Sequence, residues 1–413
     1  MALTFNYLII FLIIFTALAQ IWLARRHVAH VTNHRSKVPS PFKDIIKIKD
    51  HQKAADYTVA KSNLNVLGLI VEAIFLYLIT IGGGIQWINE YLSGYDLTTM
   101  IAGTILIVSV LVLSSIVEMP LGLYKTFAID EKFGFNRMTL GIFISDLIKQ
   151  SIIALIIGLP VLYFSLWIIG NLGDLWWLWL WIFISAFNFI MLAVYPIFIA
   201  PLFNKFEPMK NKTLVSQIEK LLKKCGFESN GLFVMNGSLR SNHGNAYFTG
   251  FGKSKRIVFF DTLLEKLNGK EIEAVLAHEL GHFHHNHVKK RIILMFVVSF
   301  VGLYLLGLLK ESAWFYEGLG VTGMTDANAL LLFLLVSPLF VFFIRPIMAY
   351  YSRLNEFEAD EYACQFAKAS DLKQSLVKLY RDNASTLTPD PLHSSFYDSH
   401  PPALLRIQAI DKR

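Results

Sequence analysis

Seven runs of mostly apolar residues, at 4–24, 64–87, 97–119, 152–169, 175–200, 292–309 and 329–347, dominate the chain. Each is near the ~20 residues that a helix needs to cross a bilayer, where lipid offers the backbone no hydrogen-bond partner. The pattern predicts seven transmembrane helices. Between 204 and 288 the pattern changes. Helical spacing over 214–225, closed by Gly226, gives way to strand-like stretches at 245–250 and 256–260, with a Gly252-Lys253-Ser254 turn between them. Residues 270–285 return to helical spacing. After Arg353 the helix continues to about Asn383, and a Pro-rich stretch leads to a last short helix from Pro402.

Composition supports this plan. Of 413 residues, 54% are hydrophobic and 17% charged, and the mean hydropathy is +0.48, above the balance of a soluble globular chain. The net charge of +7 is spread over inter-helix segments. With no Arg/Lys stripe interleaved with aromatics, it argues against a nucleic-acid partner. Cys225 and Cys364 are too few for a disulfide framework or a Cys-based metal site. Ala17-Leu18-Ala19 resembles a signal-peptide cleavage site, but Met1 to Asn6 carry no positive charge and Arg25 and Arg26 follow the run, so a retained helix is expected.

Lys and Arg crowd 25–61 and 125–149 and are absent from 89–95 and 170–174; the stretch 310–326 holds one Lys. By the positive-inside rule the N-terminus lies outside, and the segment 203–290 and the C-terminal tail lie in the cytosol, with membrane lipid as a constant partner. The domain plan is 1–203, with five spans; 204–290, a cytosolic domain; 291–350, spans six and seven; and 351–413, a cytosolic segment that completes the site.

Inside 270–285 stands His278-Glu279-Leu280-Gly281-His282. Histidines at i and i+4 share one helical face, one turn apart, so both imidazoles reach a single Zn²⁺. Glu279 beside them is placed to take a proton from an attacking water. A bare HExxH also arises by chance. Its place about nine residues before the sixth run, with His284, His285 and His287 after it, favours a real site of one zinc per chain. The fold class is therefore mostly α: a seven-transmembrane-helix membrane protein with a cytosolic zinc-metalloprotease domain.

A catalytic zinc takes three protein ligands and keeps one position open. The extended pattern H-E-x-x-H-x-x-G-x-x-H fails here, because His285 stands at its Gly position and Val288 at its last His. His284, His285 and His287 remain candidates, but Glu356 is better placed, in Asn355-Glu356-Phe357-Glu358-Ala359-Asp360. It follows the seventh run by the same nine residues by which His282 precedes the sixth. At 1.5 Å per residue both lie within roughly 15 Å of one membrane boundary. Asp360, one turn beyond Glu356, could hold the Nδ1–H of a zinc histidine.

With these motifs in hand, the chain resembles the type I CAAX prenyl endopeptidases, integral-membrane zinc proteases of the gluzincin class. The resemblance runs through Tyr57-Thr58, Thr126-Phe127-Ala128-Ile129-Asp130-Glu131-Lys132-Phe133-Gly134-Phe135-Asn136 and Pro201-Leu202-Phe203-Asn204-Lys205-Phe206. It continues through Asn245-Ala246-Tyr247-Phe248, Arg256-Ile257-Val258, the HELGH and Glu356–Asp360 motifs, and Ser399-His400-Pro401-Pro402 with Arg406. It implies seven helices around a large chamber, with the zinc domain closing its cytosolic end. It implies His278, His282 and Glu356 as zinc ligands, Glu279 as catalytic base and Asp360 as the carboxylate behind a ligand. Asn245 falls in a peptide-binding groove, and His400 with Arg406 beside the reacting bond.

Read from the residues alone, the 245–248 stretch is an edge strand able to pair with an extended peptide, and His400 a donor to an oxyanion. Glu72, Glu118 and Asn188, in or near spans, suit a wet cavity. The expected reaction is hydrolysis of a peptide or protein substrate, prenylated or membrane-associated, at the cytosolic membrane surface. The compact loops, and an Ile410-Asp411-Lys412-Arg413 ending without an ER-retrieval sequence, point to a bacterial inner membrane. Quality control of damaged membrane proteins is the alternative substrate class. A non-catalytic zinc scaffold would have a closed four-ligand site, and a transporter would carry ligands within its spans, none of which holds a histidine.

Overall fold

The computed structural model describes residues 1–249 and 256–412. Among the described residues, seven helices are long and apolar enough to cross a membrane: Ala2–Asn33, Ile48–Ile79, Thr99–Asp130, Leu140–Asn171, Gly173–Phe203, His287–Lys310 and Asp326–Phe366. Most outrun their apolar stretch, because helical hydrogen bonding continues beyond the hydrocarbon into polar sequence. The second ends earlier than its pattern, at Ile79 rather than 87. Gly83 takes a left-handed φ of 85°, and a Cβ on Gly82 would fall 2.7 Å from Leu78 Cα, so the turn depends on glycine. Trp87 belongs instead to a separate helix, Gly84–Ser93.

Burial along the spans is uneven. The most apolar window of the seventh is 50% buried, whereas those of the second, fifth and sixth are 6% buried. Helices in a solid bundle each bury a stripe against neighbours, so these three leave most of their apolar surface uncovered by protein. The packed region sits at the end remote from the soluble domain. There Ile9, Leu106, Ile107, Phe315 and Leu319 close together. Glu72 and Glu118 line one cavity among the first, second, third and seventh spans, while Asn188 donates to Ile184 O of its own helix.

The soluble domain is built on a four-stranded sheet. Its strands are β1 (Phe206–Pro208), β2 (Leu232–Met235), β3 (Ala246–Thr249) and β4 (Arg256–Phe260), in the order β1-β2-β4-β3. β2 and β4 run parallel, and the other pairs are antiparallel. The expected turn at 252–254, with Gly250, lies outside the described residues. Ile257 and Phe259 are fully buried against Ile218 and Leu221 of helix Lys212–Lys224, and against Leu276 and Leu280 of helix Gly269–His284. Each such side chain contributes about 1.5–3 kcal/mol by leaving water.

The seventh span does not stop at the membrane. It runs unbroken from Asp326 to Phe366 through Pro338 and Pro346, and Tyr362 and Ala363 join the soluble core. After it come helices Ala369–Asp382, Pro391–Tyr397 and Ala403–Asp411. The helix Pro391–Tyr397 falls in the Pro-rich stretch, where the sequence pattern predicts no helix. It forms because the Asp390 carboxylate accepts from the N–H groups of Leu392 and His393, with Pro391 in the first turn.

Two contacts lock the soluble domain to the spans and their loops, and a third ties two spans together beside them. Arg240 grips Asp146 with two hydrogen bonds of 2.7 Å. Between the second and third spans, Tyr57 donates to Asp130 at 2.8 Å. The Phe135 ring stacks on His243 at 4.5 Å.

Candidate active site

Asn268 starts the helix that carries His278. Its side chain accepts from the backbone of Lys270 and Glu271, and Glu271 accepts in return from Asn268 N at 2.8 Å. This reciprocal cap fixes where the helix begins, and so which face later residues present. That face meets the extension of the seventh span beyond the membrane at Gly281. A Cβ there would lie 2.9 Å from Ala359 Cα and 3.0 Å from its carbonyl oxygen. Only a residue without a side chain lets the two helices approach so closely.

The approach brings three side chains to one point. His278 Nε2 lies 3.4 Å from Glu356 Oε2, His282 Nε2 lies 3.3 Å from Glu356 Oε1, and the two Nε2 atoms are 3.2 Å apart. Among the described residues, His278, His282 and Glu356 form the one group of three such side chains whose donor atoms lie within 4.8 Å of one another. Glu356 is 4% exposed, and its buried Oε2 has no hydrogen-bond partner. Positive and polar groups stand 3.4 Å from that oxygen without forming a hydrogen bond to it, which leaves its lone pairs for a bound cation. Two imidazoles and a carboxylate are the donor set that zinc takes, so the residues present fit a metal.

Behind His278, Asp360 Oδ1 lies 2.8 Å from Nδ1. Asp360 is itself held by Arg406 through bonds of 2.8 and 2.6 Å. Burial lowers the pKa of His278, but its contacts with Asp360 and Glu356 outweigh that, leaving it raised to about 9 in the metal-free chain. Arg406 is 5% exposed. Its Nη1 also sits 3.4 Å from Glu356 Oε2, so its guanidinium is occupied by the two carboxylates. His400 lies on the open side. Its Nε2 is 3.4 Å from Glu356 Oε1, with 62% of the side chain exposed.

One cavity, of about 490 Å³, opens onto this cluster. Asn245 and Ala246 line it beside His278, Glu279, Tyr380 and His400. Among the described residues no strand pairs the outer edge of β3, so an extended peptide has backbone groups to meet there. The Asn245 side chain accepts from the N–H of Ala246 at 2.8 Å, which leaves its amide N–H groups for other partners. Leu263, Val275, Leu372 and Leu376 line the apolar part of the same cavity.

His278, Glu279, His282, Glu356, Asp360, Asn245, His400 and Arg406 thus stand at one place. Arg353 was not among them. Its guanidinium donates to the carbonyls of Ser394, Ser395 and Asp398, at 3.2, 3.2 and 2.9 Å, holding the turn that leads to His400. In sequence it is one more positive charge beside a span. Tyr380 adds a second hold on that turn, donating to Pro401 O at 3.3 Å.

A seven-span membrane fold with a HExxH helix and a converging glutamate defines an integral-membrane metallo-endopeptidase, which acts on peptide or protein substrates. Residues 27–205 match the model of the CAAX prenyl protease N-terminal domain, with five membrane helices, and residues 208–413 match peptidase family M48. The chain belongs to peptidase family M48. It is 33% identical over 386 residues to the CAAX prenyl protease 1 homolog of Arabidopsis thaliana, covering 91% of this chain and 90% of that protein. It is 32% identical over 403 residues to CAAX prenyl protease 1 of Saccharomyces cerevisiae, covering 91% and 89%. The crystal structure of S. mikatae Ste24p superposes with a TM-score of 0.92 at 29% identity, covering 98% of this chain and 99% of that one.

Proposed function

We propose that this chain is a zinc CAAX prenyl endopeptidase, which removes the C-terminal tripeptide after a prenylated cysteine at the cytosolic membrane surface. The convergence of His278, His282 and Glu356 beside Glu279, in a cavity bounded by a free strand edge, carries the reading. Relatives named as CAAX prenyl proteases along nine-tenths of the chain support the substrate class.

In this reading His278, His282 and Glu356 hold one zinc, and Asp360 fixes the His278 tautomer. Zinc, when bound, supplies a Lewis acid that lowers the pKa of water and polarises the scissile carbonyl. Glu279 takes the proton of the attacking water and returns it to the leaving amine. The His400 N–H donates to the tetrahedral oxyanion, work worth about 3–4 kcal/mol for one well-placed donor. Arg406 acts at one remove, neutralising Asp360 and Glu356 behind the ligands. Asn245 and the β3 edge bind the substrate backbone in extended form.

The domain plan divides the chain at 203, 290 and 350, with residues 351–413 completing the site. Alternation of Lys and Arg between loops supports an outside N-terminus and a cytosolic site and C-terminus. Compact loops are the support for a bacterial inner membrane. The named relatives come from plants, fungi and animals; in a bacterial membrane the prenylated substrate would have to come from outside the cell's own proteins, which is where the quality-control alternative gains ground.

The test is metal analysis of the purified protein together with cleavage of a farnesylated peptide ending in Cys-aliphatic-aliphatic-X, set beside its unmodified twin and an unfolded membrane protein. The reading expects one zinc per chain and cleavage after the farnesylated cysteine. Cleavage of the unfolded protein alone would favour membrane quality control instead.

A further inference from the structure

We infer that His287 and Glu358 form a relay of hydrogen bonds that fixes the tautomer of His282, the ligand that Asp360 does not reach; the inference rests on His282 being a ligand. The Nε2 of His282 faces His278 Nε2 and Glu356. To ligate through Nε2, a neutral imidazole must carry its one proton on Nδ1. That Nδ1 lies 3.0 Å from Nδ1 of His287. Two N–H groups cannot share that line, so the His287 Nδ1 accepts and its own proton sits on Nε2. The His287 Nε2 lies 2.9 Å from Glu358 Oε2, and a carboxylate can only accept. Each link dictates the next, from carboxylate to imidazole to ligand.

Backbone geometry aims the relay. Asn286 adopts a left-handed conformation, φ 58°, one of the few non-glycine residues that do so readily. It breaks the chain between the HELGH helix and the sixth span, and turns His287 back beside His282. His287 is 5% exposed with both ring nitrogens engaged. Its Nδ1 lone pair is spent on His282, so it serves as a positioning residue and not as the spare ligand that its sequence position suggested. The two ligand histidines are then anchored in parallel. Asp360 holds His278 directly, and Glu358 holds His282 through one intervening ring. Partners of this kind are worth roughly 10–100-fold in metal affinity.

The test uses full-length protein stripped of metal, titrated with Co²⁺ for its absorption spectrum and with Zn²⁺ against a competing chelator. His287→Leu removes the acceptor and is expected to weaken metal binding roughly 10–100-fold. His287→Asn, whose Oδ1 can stand where Nδ1 stood, is expected to recover most of that loss. Glu358→Lys turns an acceptor into a donor and forces the His287 proton onto Nδ1, against His282. Its affinity should fall and its Co²⁺ spectrum change, in high salt as well as low, whereas Glu358→Gln, which keeps an acceptor oxygen, stays near wild type. The Glu358 side chain is 48% exposed, so these two variants fold even where a His287 variant does not. Wild-type affinity and spectrum in Glu358→Lys would overturn the relay. His282→Ala separates the two readings: if it binds metal undiminished, the ligand assignment itself fails, and if it alone loses metal, only the relay does.

Discussion

Gly281 and Ala359 touch backbone to backbone, and that contact places two imidazoles from one helix against a carboxylate from another. It joins segments 78 residues apart in sequence, and every distance within the metal site depends on it. Gly281→Ala is therefore expected to do harm, although alanine favours a helix by about 1 kcal/mol over glycine. A Cβ 2.9 Å from Ala359 Cα must push the helices apart, at a cost of about 1–3 kcal/mol for overpacking. Lower thermal stability and reduced zinc content would both register it.

Glu279→Gln should abolish proteolysis and leave the metal in place, because Glu279 lines the cavity but does not belong to the converging group of three. Turnover of a farnesylated peptide and zinc content, measured on the same preparation, give the answer. Retained turnover would remove Glu279 from its role as base.

His400 and Arg406 should separate experimentally. His400→Ala is expected to lower kcat by about 100-fold or more, the usual cost of one oxyanion donor, with stability and metal content unchanged. Arg406→Gln strips the partner from buried Asp360. Breaking a buried pair costs about 3–5 kcal/mol, so this variant should unfold at lower temperature and lose metal first. Thermal denaturation beside zinc analysis distinguishes the two patterns.

Arg353→Met should leave the metal bound and reduce turnover, since it frees the turn before His400 without touching a ligand. Hydrogen bonds from a charged donor are worth about 1.5–3 kcal/mol each, and the two N–H groups on Nη1 of Arg353 are shared among three carbonyls. Steady-state kinetics would place the loss in kcat, with faster proteolytic nicking at 391–400.

The His243 contact should make the protein sensitive to acid. Burial pushes the His243 pKa down from its ordinary value near 6.5, and a contact with Asn383 only partly opposes this. A histidine with a depressed pKa takes up its proton more readily when released, so acid favours release. Stability from this group is complete above about pH 6.5 and declines as pH falls through that value. Melting temperatures between pH 5 and 8 should show the decline, and His243→Phe, which keeps the stack on Phe135, should flatten it.

Much of this was legible in the sequence because the strongest signals are local. Two histidines one turn apart announce themselves by spacing alone. Glu356 is not local to them, but the bilayer supplies a ruler: two residues equally far from their spans reach the same depth. What escaped notice lacked such a ruler. Asp390 caps the helix Pro391–Tyr397 while Arg26, on the first span, holds its carboxylate. Nothing in a Pro-rich stretch foretells a partner 364 residues away. Arg353 and the Glu358–His287 pair were hidden likewise, as one helix-end charge and two members of a polar cluster. The break at Gly83 failed for the opposite reason, since hydrophobicity persists through it and only backbone conformation changes.

The unbroken helix from Asp326 to Phe366 has a mechanical consequence. It is a lever with one arm in lipid and Glu356 on the other. From mid-span to that carboxylate is about 30 Å at 1.5 Å per residue, so a tilt of ~2° sweeps Glu356 through ~1 Å. Metal ligation tolerates errors of only about 0.2 Å. The HELGH helix escapes that mismatch by riding on the lever at Gly281, so the bilayer can rock both ligand-bearing helices without pulling them apart.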